Sequence, residues 1–514
     1  MIVKRVLFLL LLGSALTFAD VKLANIFTNN MVLQRNKTIH LWGNADKNEK
    51  IKITINSQTV EMAADENGKW KVELPPMDAG GPFELVVEGK NKIMLKNILI
   101  GEVWLASGQS NMEFQLKKSI GGEEEISKAD FPSIRIFVVK HKVSDTPQEE
   151  VEGEWQVCSQ KTIANFSGVA YFFGKKLLTE LNIPIGIIQS TWGGTPAEAW
   201  MPKNTLEADD DFKPILTRWD RKMKSYPSDL EEFNMNGEKL VATWKIDSAN
   251  AIAKGMAPPR KPNKPEGPGT RNQPSGLYNG MIYPLAPFSF RGVIWYQGEA
   301  NVARAFQYRR LFPALIKNWR ELWNAGDFPF YFVQLPNFQR EPEPSKSGWT
   351  ELREAQFLTL SVPNTGMAVT IDIGEPANLH PTNKADVGLR LALIALDNIY
   401  DRDEFIFSGP IYKSYKIEED KFIISFTHTA DGLITKDGKA LRGFKICGED
   451  KKFVEAKAEI IGSEIKVWND ELKNPLSVRY AWADNPDCNL YNSGMLPASP
   501  FRTDDWEETT FNAR

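Results

Sequence analysis

Cysteine is scarce in this sequence of 514 residues, which contains only Cys158, Cys447 and Cys488. Because their number is odd and they are far apart, a complete disulfide framework is excluded, although Cys447 and Cys488 could pair in an oxidising compartment. None of the three has the sequence spacing of a metal ligand. Cysteine chemistry therefore explains neither the stability nor the function of this protein.

The sequence also lacks an excess of positive charge and the common cofactor motifs. Its formal net charge is −4, whereas a protein that binds a nucleic-acid backbone needs a basic surface. It contains no Walker phosphate loop, no HExxH motif and no EF-hand loop. We therefore predict no nucleic-acid partner, no metal and no other cofactor. The composition, 42% hydrophobic and 25% charged, is that of a globular protein.

No apolar run is long enough to cross a membrane. The N-terminal run Val6–Leu12 is much shorter than the roughly 20 residues that a span needs. It follows Lys4 and Arg5 and precedes small residues up to Ala19, which is the pattern of a signal peptide. We predict a signal peptide over residues 1–19, cleavage after Ala19, and a periplasmic or secreted protein with no membrane attachment after cleavage.

Three regions with different patterns follow the signal peptide. Residues 20–96 alternate apolar and polar positions, as at Ile51, Ile53 and Ile55, and predict an N-terminal β-sandwich. Residues 97–402 alternate strands and helices, which predicts a mostly parallel sheet covered by helices on both faces. Residues 403–514 return to short strand patterns and predict a C-terminal β-rich region.

The α/β region has a clear order of elements, interrupted by an insertion at about residues 203–290 that we expect to hold one or two helices and a long ordered loop. The predicted strands are Ile98–Ala106, Ile185–Ile188, Gly292–Tyr296, Phe328–Leu335 and Met367–Ile373. The predicted helices are Val169–Leu181, Phe306–Trp323, Glu351–Leu360 and Ala385–Tyr400.

The stretch GEVWLASGQSNMEF ends a predicted strand on a glycine turn that carries Ser110. A serine nucleophile needs a base within hydrogen-bond reach, usually histidine, and the chain has four histidines. His40 and His428 fall in the β-rich flanks, and His141 falls in a basic segment that we expect to be exposed. His380 alone follows a predicted strand of the parallel sheet, at the edge where Ser110 also lies.

An acyl-transfer site also needs hydrogen-bond donors for the oxyanion. Gly193 and Gly194 follow the predicted strand Ile185–Ile188, and Gln297 follows Gly292–Tyr296. The backbone N–H of Ser110, an N–H of Gly193 or Gly194, and the amide of Gln297 are therefore the expected donors.

Four blocks, GEVWLASGQSNMEF, GGTPAEAW, GVIWYQGEAN and HPTNKADVGLRLA, together resemble the sialate O-acetylesterase family of the SGNH-hydrolase superfamily. Flanking segments such as NLYNSGMLPASPFRTD resemble the same family, so the resemblance covers nearly the whole mature chain. It implies a flavodoxin-like three-layer α/β/α hydrolase domain with flanking β-sandwich and β-rich regions. It also implies a metal-free serine esterase that removes O-acetyl groups from sugars, with Ser110 as nucleophile and His380 as base.

The chain departs from the superfamily pattern at the third member of the triad. The superfamily carries Asp-x-x-His, but here Ala377 takes the position of the aspartate, and Asn378 is not an acid. Resemblance to related acetylesterases favours Glu299, in the Gln-Gly-Glu segment, as the carboxylate that orients His380. Asp372 and Glu375 are nearer in sequence and are the alternatives.

The substrate is predicted to be an acetylated sugar, most simply an O-acetylated sialic acid. Two alternatives remain open: an acetylesterase for plant polysaccharide such as xylan or pectin, and a non-catalytic carbohydrate-binding protein. The sequence leaves the oligomeric state open. The candidate substrate contacts are Gln109, Asn111, Trp192, Trp200 and Asn301, and the aromatic Trp295 is a further candidate for stacking on a sugar.

Overall fold

The computed structural model describes residues 20–256, 258–259, 261–338 and 348–514. The predicted signal peptide, residues 1–19, lies outside the described residues. No helix in these ranges is long and apolar enough to cross a membrane.

The N-terminal region is a pair of β-sheets in which alternate residues face the core. Ile51, Ile53 and Ile55 are buried while Lys50 and Lys52 between them are exposed. One sheet has the order β1-β3-β6, and the strands β4, β5 and β7 form part of a larger sheet. The strands are β1 Lys22–Leu23, β2 Val32–Gln34, β3 Ile39–Asn44, β4 Lys50–Ile55, β5 Gln58–Ala63, β6 Lys69–Leu74 and β7 Gly80–Glu88.

A single long strand, β8 Lys92–Gly108, belongs to both the N-terminal sheet and the central sheet. Its first part pairs antiparallel with β7 and parallel with β2. Its second part, from Glu102 onward, lies at the centre of the parallel sheet. The predicted boundary between residues 96 and 97 therefore falls inside a continuous strand.

The central region is a mixed sheet between two layers of helices, as the sequence predicts. Its strand order is β10-β9-β11-β8-β12-β13-β14, parallel except for β10 at one edge. The elements are α1 Ser110–Glu113, α2 Gly122–Ser127, β9 Asp130–Val138, β10 Trp155–Ser159, α3 Gly168–Leu181, β11 Ile185–Thr191, α4 Lys203–Ala208, α5 Lys213–Ala253, β12 Gly292–Tyr296, α6 Ala305–Trp323, β13 Phe330–Val333, α7 Trp349–Leu358, β14 Thr365–Ala368 and α8 Lys384–Tyr400.

The side chains of β8 alternate between the two helical layers, which explains the unbroken apolar sequence of this strand. Trp104 and Ala106 pack in the core that contains α3 and α8. Val103 and Leu105 pack in the other core, with α6 and α7. Both faces of the sheet are therefore buried.

The insertion is dominated by one helix, α5, of 41 residues that contains Pro227. The predicted helix or two are confirmed as α4 and α5, but the charged sequence gave no hint that α5 is so long. The chain then returns to the sheet through an irregular segment that ends in a π-helical turn, Tyr278–Ile282.

The C-terminal region is β-rich and builds a separate core of its own. The cysteines of this region are not bonded to each other: Cys447 is free and buried, and Cys488 is free and partly buried. The strands are β15 Ile411–Glu418, β16 Lys421–Thr427, β17 Leu433–Thr435, β18 Phe444–Cys447, β19 Val454–Glu455, β20 Lys457–Ile461, β21 Glu464–Trp468, β22 Ser477–Tyr480, β23 Leu490–Asn492 and β24 Phe501–Arg502.

Candidate active site

Ser110 lies at the carboxyl end of β8, where the strand order of the central sheet reverses. β11 flanks β8 on one side and β12 on the other, and such a reversal opens a crevice at the strand ends. Gly108 makes the sharp turn at the end of the strand possible. It has φ +135°, and a Cβ atom there would lie 2.2 Å from the main-chain oxygen of Tyr296. Ser110 then begins helix α1 and stays partly exposed.

His380 contacts Ser110 directly. Its Nε2 lies 2.8 Å from the serine Oγ, within the range of a hydrogen bond between a nucleophile and its base. The loop that carries the histidine is fixed by Glu375, whose Oε1 accepts from both the N–H and the hydroxyl of Thr382. Asn378 Oδ1 accepts from the backbone N–H of His380 at 3.0 Å.

The surroundings of His380 favour the neutral imidazole, which is the form that accepts a proton. Burial lowers the pKa of His380 below its ordinary value of 6.5, and the positive charges of Lys384 and Lys118 lower it further. Among the described residues no carboxylate forms a hydrogen bond or an ion pair with this histidine. Within the part of the chain that the structure describes, the site is therefore a serine–histidine pair without a third acidic member.

The structure does not bring Glu299, the carboxylate favoured from the sequence, to His380. Glu299 Oε1 accepts from Asn111 Nδ2 at 2.5 Å, its Oε2 is buried without a partner among the described residues, and burial raises the pKa of its carboxyl. The alternatives fail as well. Asp372 forms an ion pair with Arg390, and Glu375 serves the loop as described above.

Asn111 is the centre of a buried polar network directly behind the nucleophile. Its Nδ2 donates to Glu299 and, at 3.1 Å, to the main-chain oxygen of Leu379. Its Oδ1 accepts from Lys384 Nζ at 2.7 Å. The pKa of Lys384 is lowered to about 7, because burial lowers it more than the nearby carboxyl of Glu299 raises it. Asn111 was predicted to contact substrate, but it is fully buried and does not line the cavity at Ser110.

The glycine turn after β11 lies against the nucleophile. A Cβ atom on Gly193 would lie 3.2 Å from the Ser110 Cβ. The N–H of Gly193 donates to Glu113 Oε2 at 2.6 Å, and Gly194 has φ +75°. The N–H of Ser110 is the first of helix α1 and has no acceptor within the helix. The N–H groups of Ser110 and Gly193 therefore lie at the nucleophile, and the one from Gly193 is occupied by a carboxylate.

Gln297 does not offer a free amide to an oxyanion, contrary to the prediction. Its side chain is fully buried, and its Nε2 donates to Asn301 Oδ1 at 2.7 Å and to the Thr195 oxygen at 3.3 Å. Its Oε1 accepts from the hydroxyl of Tyr308 at 2.8 Å. Both hydrogens of the amide are engaged, so Gln297 supports the turn instead.

Known proteins share this arrangement of sheet and strand ends. A family model described as carbohydrate esterase, sialic acid-specific acetylesterase, matches residues 271–396. The crystal structure of a carbohydrate acetylesterase from Xanthomonas citri superposes with a TM-score of 0.79 at 36% identity, covering 95% of this chain and 100% of that chain. The chain belongs to this family of carbohydrate esterases.

Curated relatives of the esterase extend over nearly its whole length. The sialate O-acetylesterase of Mus musculus is 28% identical over 530 residues, which cover 93% of this chain and 94% of the mouse protein. The sialate O-acetylesterase of Homo sapiens is 27% identical over 527 residues, with 93% and 92% covered. The relationship therefore includes both β-rich flanks as well as the central sheet.

Most of the remaining candidate substrate contacts lie inside the esterase and not at its surface. Gln109, Asn301, Trp200 and Trp295 are all buried. Gln109 Oε1 accepts from the backbone of the Gln-Gly-Glu turn, and the two tryptophans pack edge to face with each other. Among the predicted aromatics, Trp192 alone is partly exposed.

His141, which the sequence analysis set aside, lies in the same cavity as Ser110 and His380. Its ring stacks on Trp192 with centroids 4.1 Å apart. Its Nε2 lies 3.0 Å from Glu113 Oε1 and 3.0 Å from the oxygen of Thr191. The esterase thus has a second histidine beside the nucleophile, but this one is held by Glu113.

The cavity over Ser110 is large enough for a sugar. Its volume is about 800 Å³, within the range of small-molecule sites. Its wall combines the apolar Phe114, Val138 and Val139 with polar side chains that include Ser110, Glu113, Gln115, Lys118, His141 and His380. The site can therefore accept a hydrophilic acetyl ester.

Proposed function

We propose that this esterase removes O-acetyl groups from O-acetylated sialic acids through an acetyl-serine intermediate on Ser110. The observation that carries the reaction type is the 2.8 Å contact between Ser110 Oγ and His380 Nε2 in a cavity of sugar size. The choice of sugar is supported by the two mammalian sialate O-acetylesterases, which match over 93% of this chain.

In the first step His380 Nε2 accepts the hydroxyl proton of Ser110 while Oγ attacks the acetyl carbonyl carbon. The carbonyl electrons move onto the oxygen, and the oxyanion accepts hydrogen bonds from backbone N–H groups. The proposed donors are Ser110 and the glycine turn. The N–H of Gly193 becomes available when the Glu113 carboxylate turns away, and the N–H of Gly194 is the alternative donor from the same turn.

In the second step the bond between the acetyl carbon and the sugar oxygen breaks. The departing sugar oxygen takes the proton from the His380 imidazolium, and the acetyl group remains on Ser110. Water then gives a proton to His380 and attacks the acetyl carbon. The bond from that carbon to the serine Oγ breaks as His380 returns the proton to Oγ, which releases acetate and the free serine. The lowered pKa of His380 keeps the imidazole neutral at the start of each half-reaction.

Among the residues that the structure describes, no carboxylate forms a hydrogen bond with the second ring nitrogen of His380. The loop is fixed instead at its backbone. Asn378 accepts from the N–H of His380, and Glu375 accepts from the N–H of Thr382. The cost is a less stabilised imidazolium in the transition state, since no negative charge faces it.

We also propose that the esterase is exported to the periplasm or secreted. The charged, apolar and small-residue segments of residues 1–19 support this. The N-terminal sequence of the native protein should begin at Asp20, and an intact Met1 on protein recovered from the cytoplasm would contradict export.

The test of activity is acetate release from 9-O-acetylated sialic acid, acetylated xylooligosaccharide and an aryl acetate. We expect Ser110→Ala and His380→Ala to abolish release, and Ser127→Ala and His428→Ala, far from the cavity, to leave it unchanged. Faster acetate release from the xylooligosaccharide would indicate that the substrate is a plant polysaccharide and not a sialic acid. Wild-type protein that is inert on all three esters would show a carbohydrate-binding protein instead.

A further inference from the structure

A second cavity lies on the other side of the glycine turn from Ser110. Its volume is about 360 Å³ and Gly194 forms part of its wall. Gly193, which packs on Ser110, is the neighbouring residue, and consecutive Cα atoms are only about 3.8 Å apart. The second cavity is therefore lined by the residue that follows, in the chain, the glycine packed on the nucleophile.

One face of the long helix α5 lines this second cavity. Ile215, Arg218, Trp219 and Lys222 all border it. Their spacing of three, four and seven residues puts them on one side of the helix. A half-buried tryptophan beside an arginine is a suitable wall for a sugar that carries a charged group.

The charges around this cavity do not balance. Arg304 forms an ion pair with Glu198 at 2.6 Å. Although burial raises the pKa of Glu198, this pairing dominates and holds it below its ordinary value. Lys222 pairs in turn with Glu266. Both carboxylates are thus matched by cations.

Arg218 forms no ion pair among the described residues, since Glu198, whose charge acts on it, is paired with Arg304. Its Nη2 is buried and has no hydrogen-bond partner among the described residues. Burial and the charge of Arg304 lower its pKa to about 10. A buried guanidinium N–H without an acceptor is costly, and a planar carboxylate is the group that matches it best.

A further cation approaches the same turn from outside. The exposed side chain of Arg271 lies so close that a Cβ atom on Gly194 would be 3.1 Å from its Nη2. Arg218 and Arg271 thus add positive charge on either side of Gly194. No aspartate or glutamate forms an ion pair with either of them among the described residues.

We infer that this second cavity binds the carboxylate of an acidic sugar whose acetyl ester lies at Ser110, with Arg218 as the specificity-determining residue and Trp219 against the sugar. This inference rests on the proposed function and narrows its substrate class. In a 9-O-acetylated sialic acid the carboxylate and the acetyl group are at opposite ends of the molecule. An acetylated galacturonide offers the same carboxylate, whereas acetylated xylose offers none.

The experiment compares kcat/KM for 9-O-acetylated sialic acid, its methyl ester, acetylated galacturonide, acetylated xylooligosaccharide and an aryl acetate. For Arg218→Gln we expect a loss of about 10- to 100-fold on the acidic sugar, which is the effect of one charged hydrogen bond. The methyl ester, the xylooligosaccharide and the aryl acetate should be unaffected. Arg221→Gln, an exposed arginine on the same helix, is the matched control.

A binding measurement separates the subsite from the chemistry. The dissociation constants of free sialic acid and of galacturonic acid, each with its methyl ester, are measured by calorimetry on the wild type and on Arg218→Gln. If Arg218→Gln loses affinity for the acids but not for their methyl esters, the inference is supported. This holds even if the wild type hydrolyses no acetyl ester, a result that would overturn only the esterase proposal. Equal binding of acid and ester, or equal losses by Arg218→Gln on all substrates, overturns the subsite. The acid with the lower dissociation constant indicates which sugar the second cavity recognises.

Discussion

Asn111 Nδ2 donates to the main-chain oxygen of Leu379 at 3.1 Å, so the residue after the nucleophile is bonded to the residue before the base. The same amide contacts Glu299, which is partly buried, and Lys384, which is buried. The distance between the serine and histidine side chains therefore depends on a side chain that never reaches the substrate.

Replacing Asn111 by alanine should damage both catalysis and stability. The two loops lose their link, and a displacement of the base by about 1 Å costs about 100-fold in kcat. Glu299 and Lys384 also lose a shared partner, which costs about 1–3 kcal/mol in the free energy of unfolding. Aryl acetate turnover and urea denaturation measure the two effects. Asn234→Ala, on the exposed surface of α5, is the control, and normal kcat in Asn111→Ala would contradict this role.

Glu299→Gln should lower kcat by less than about tenfold. Loss of a true triad acid costs about 10⁴-fold in the serine-protease example, but the Glu299 carboxylate does not contact His380. A glutamine keeps an oxygen that accepts from Asn111 Nδ2. Burst-phase measurement of acetyl-enzyme formation gives the chemical step directly. A loss in the thousands, with an unchanged melting temperature, would restore Glu299 as the acid.

The fall in kcat/KM on the acid side of the pH profile, its acid limb, should reflect protonation of His380. Because its pKa is lowered, kcat/KM should stay high below pH 6.5 and fall only as the pH drops through the histidine's own pKa. Lys118→Gln removes one cause of the lowering, so the limb should move to higher pH. Lys117→Gln removes the adjacent exposed charge, which does not act on His380, and should leave the limb in place.

This shift between Lys118→Gln and the wild type should shrink as salt is added, because the charge of an exposed lysine is screened. An acid limb that is identical in all three proteins at low salt would show that another group controls it.

Glu102→Gln should strongly destabilise the fold. The buried carboxylate accepts from Arg35 at 2.6 Å and from Arg291 at 2.7 Å, and removing its charge leaves two cations without a partner, at a cost of about 3–5 kcal/mol. Urea denaturation measures this loss, with the exposed Glu123→Gln as control. Burial raises the pKa of Glu102, but the two arginines outweigh burial and lower it overall.

The sign of that pKa shift gives a pH dependence. A lowered carboxyl pKa contributes stability above its ordinary value of 4.5, and the contribution is lost as the pH falls through the lower folded value. The stability difference between the wild type and Glu102→Gln should therefore narrow in acid. A difference that is the same at pH 7 and at pH 3 would contradict the assignment.

The sequence predicted the sheet well because its strands are buried on both faces. The strand Gly292–Tyr296 was predicted to the residue, and Ser110 and His380 were found from the strands that precede them. The same rule would have found His141, which follows β9 Asp130–Val138. His141 was predicted to lie at an exposed strand end, and it is exposed. The prediction did not include this strand in the central sheet, so the place of His141 in the cavity was missed.

The orientation of side chains could not be predicted from sequence spacing. Gln297 and Asn301 follow the right strand, but they bond to each other at 2.7 Å and turn inward. Trp200 and Trp295 gave no signal that distinguishes core from surface. The length of α5 was hidden as well, since its charged sequence and Pro227 resemble a loop as much as a helix.

The seventeen-residue strand β8 has a practical consequence for anyone who engineers this enzyme. Its first half is a strand of the N-terminal sheet and its second half carries Ser110, so the two regions have no linker between them to cut. A shortened version that begins at residue 97 would lack the first five residues of β8 and would expose the edges of β8 with which β2 and β7 pair. The central region therefore cannot be separated from the N-terminal region at this point. Any truncated or chimeric protein that contains Ser110 must also contain the N-terminal region.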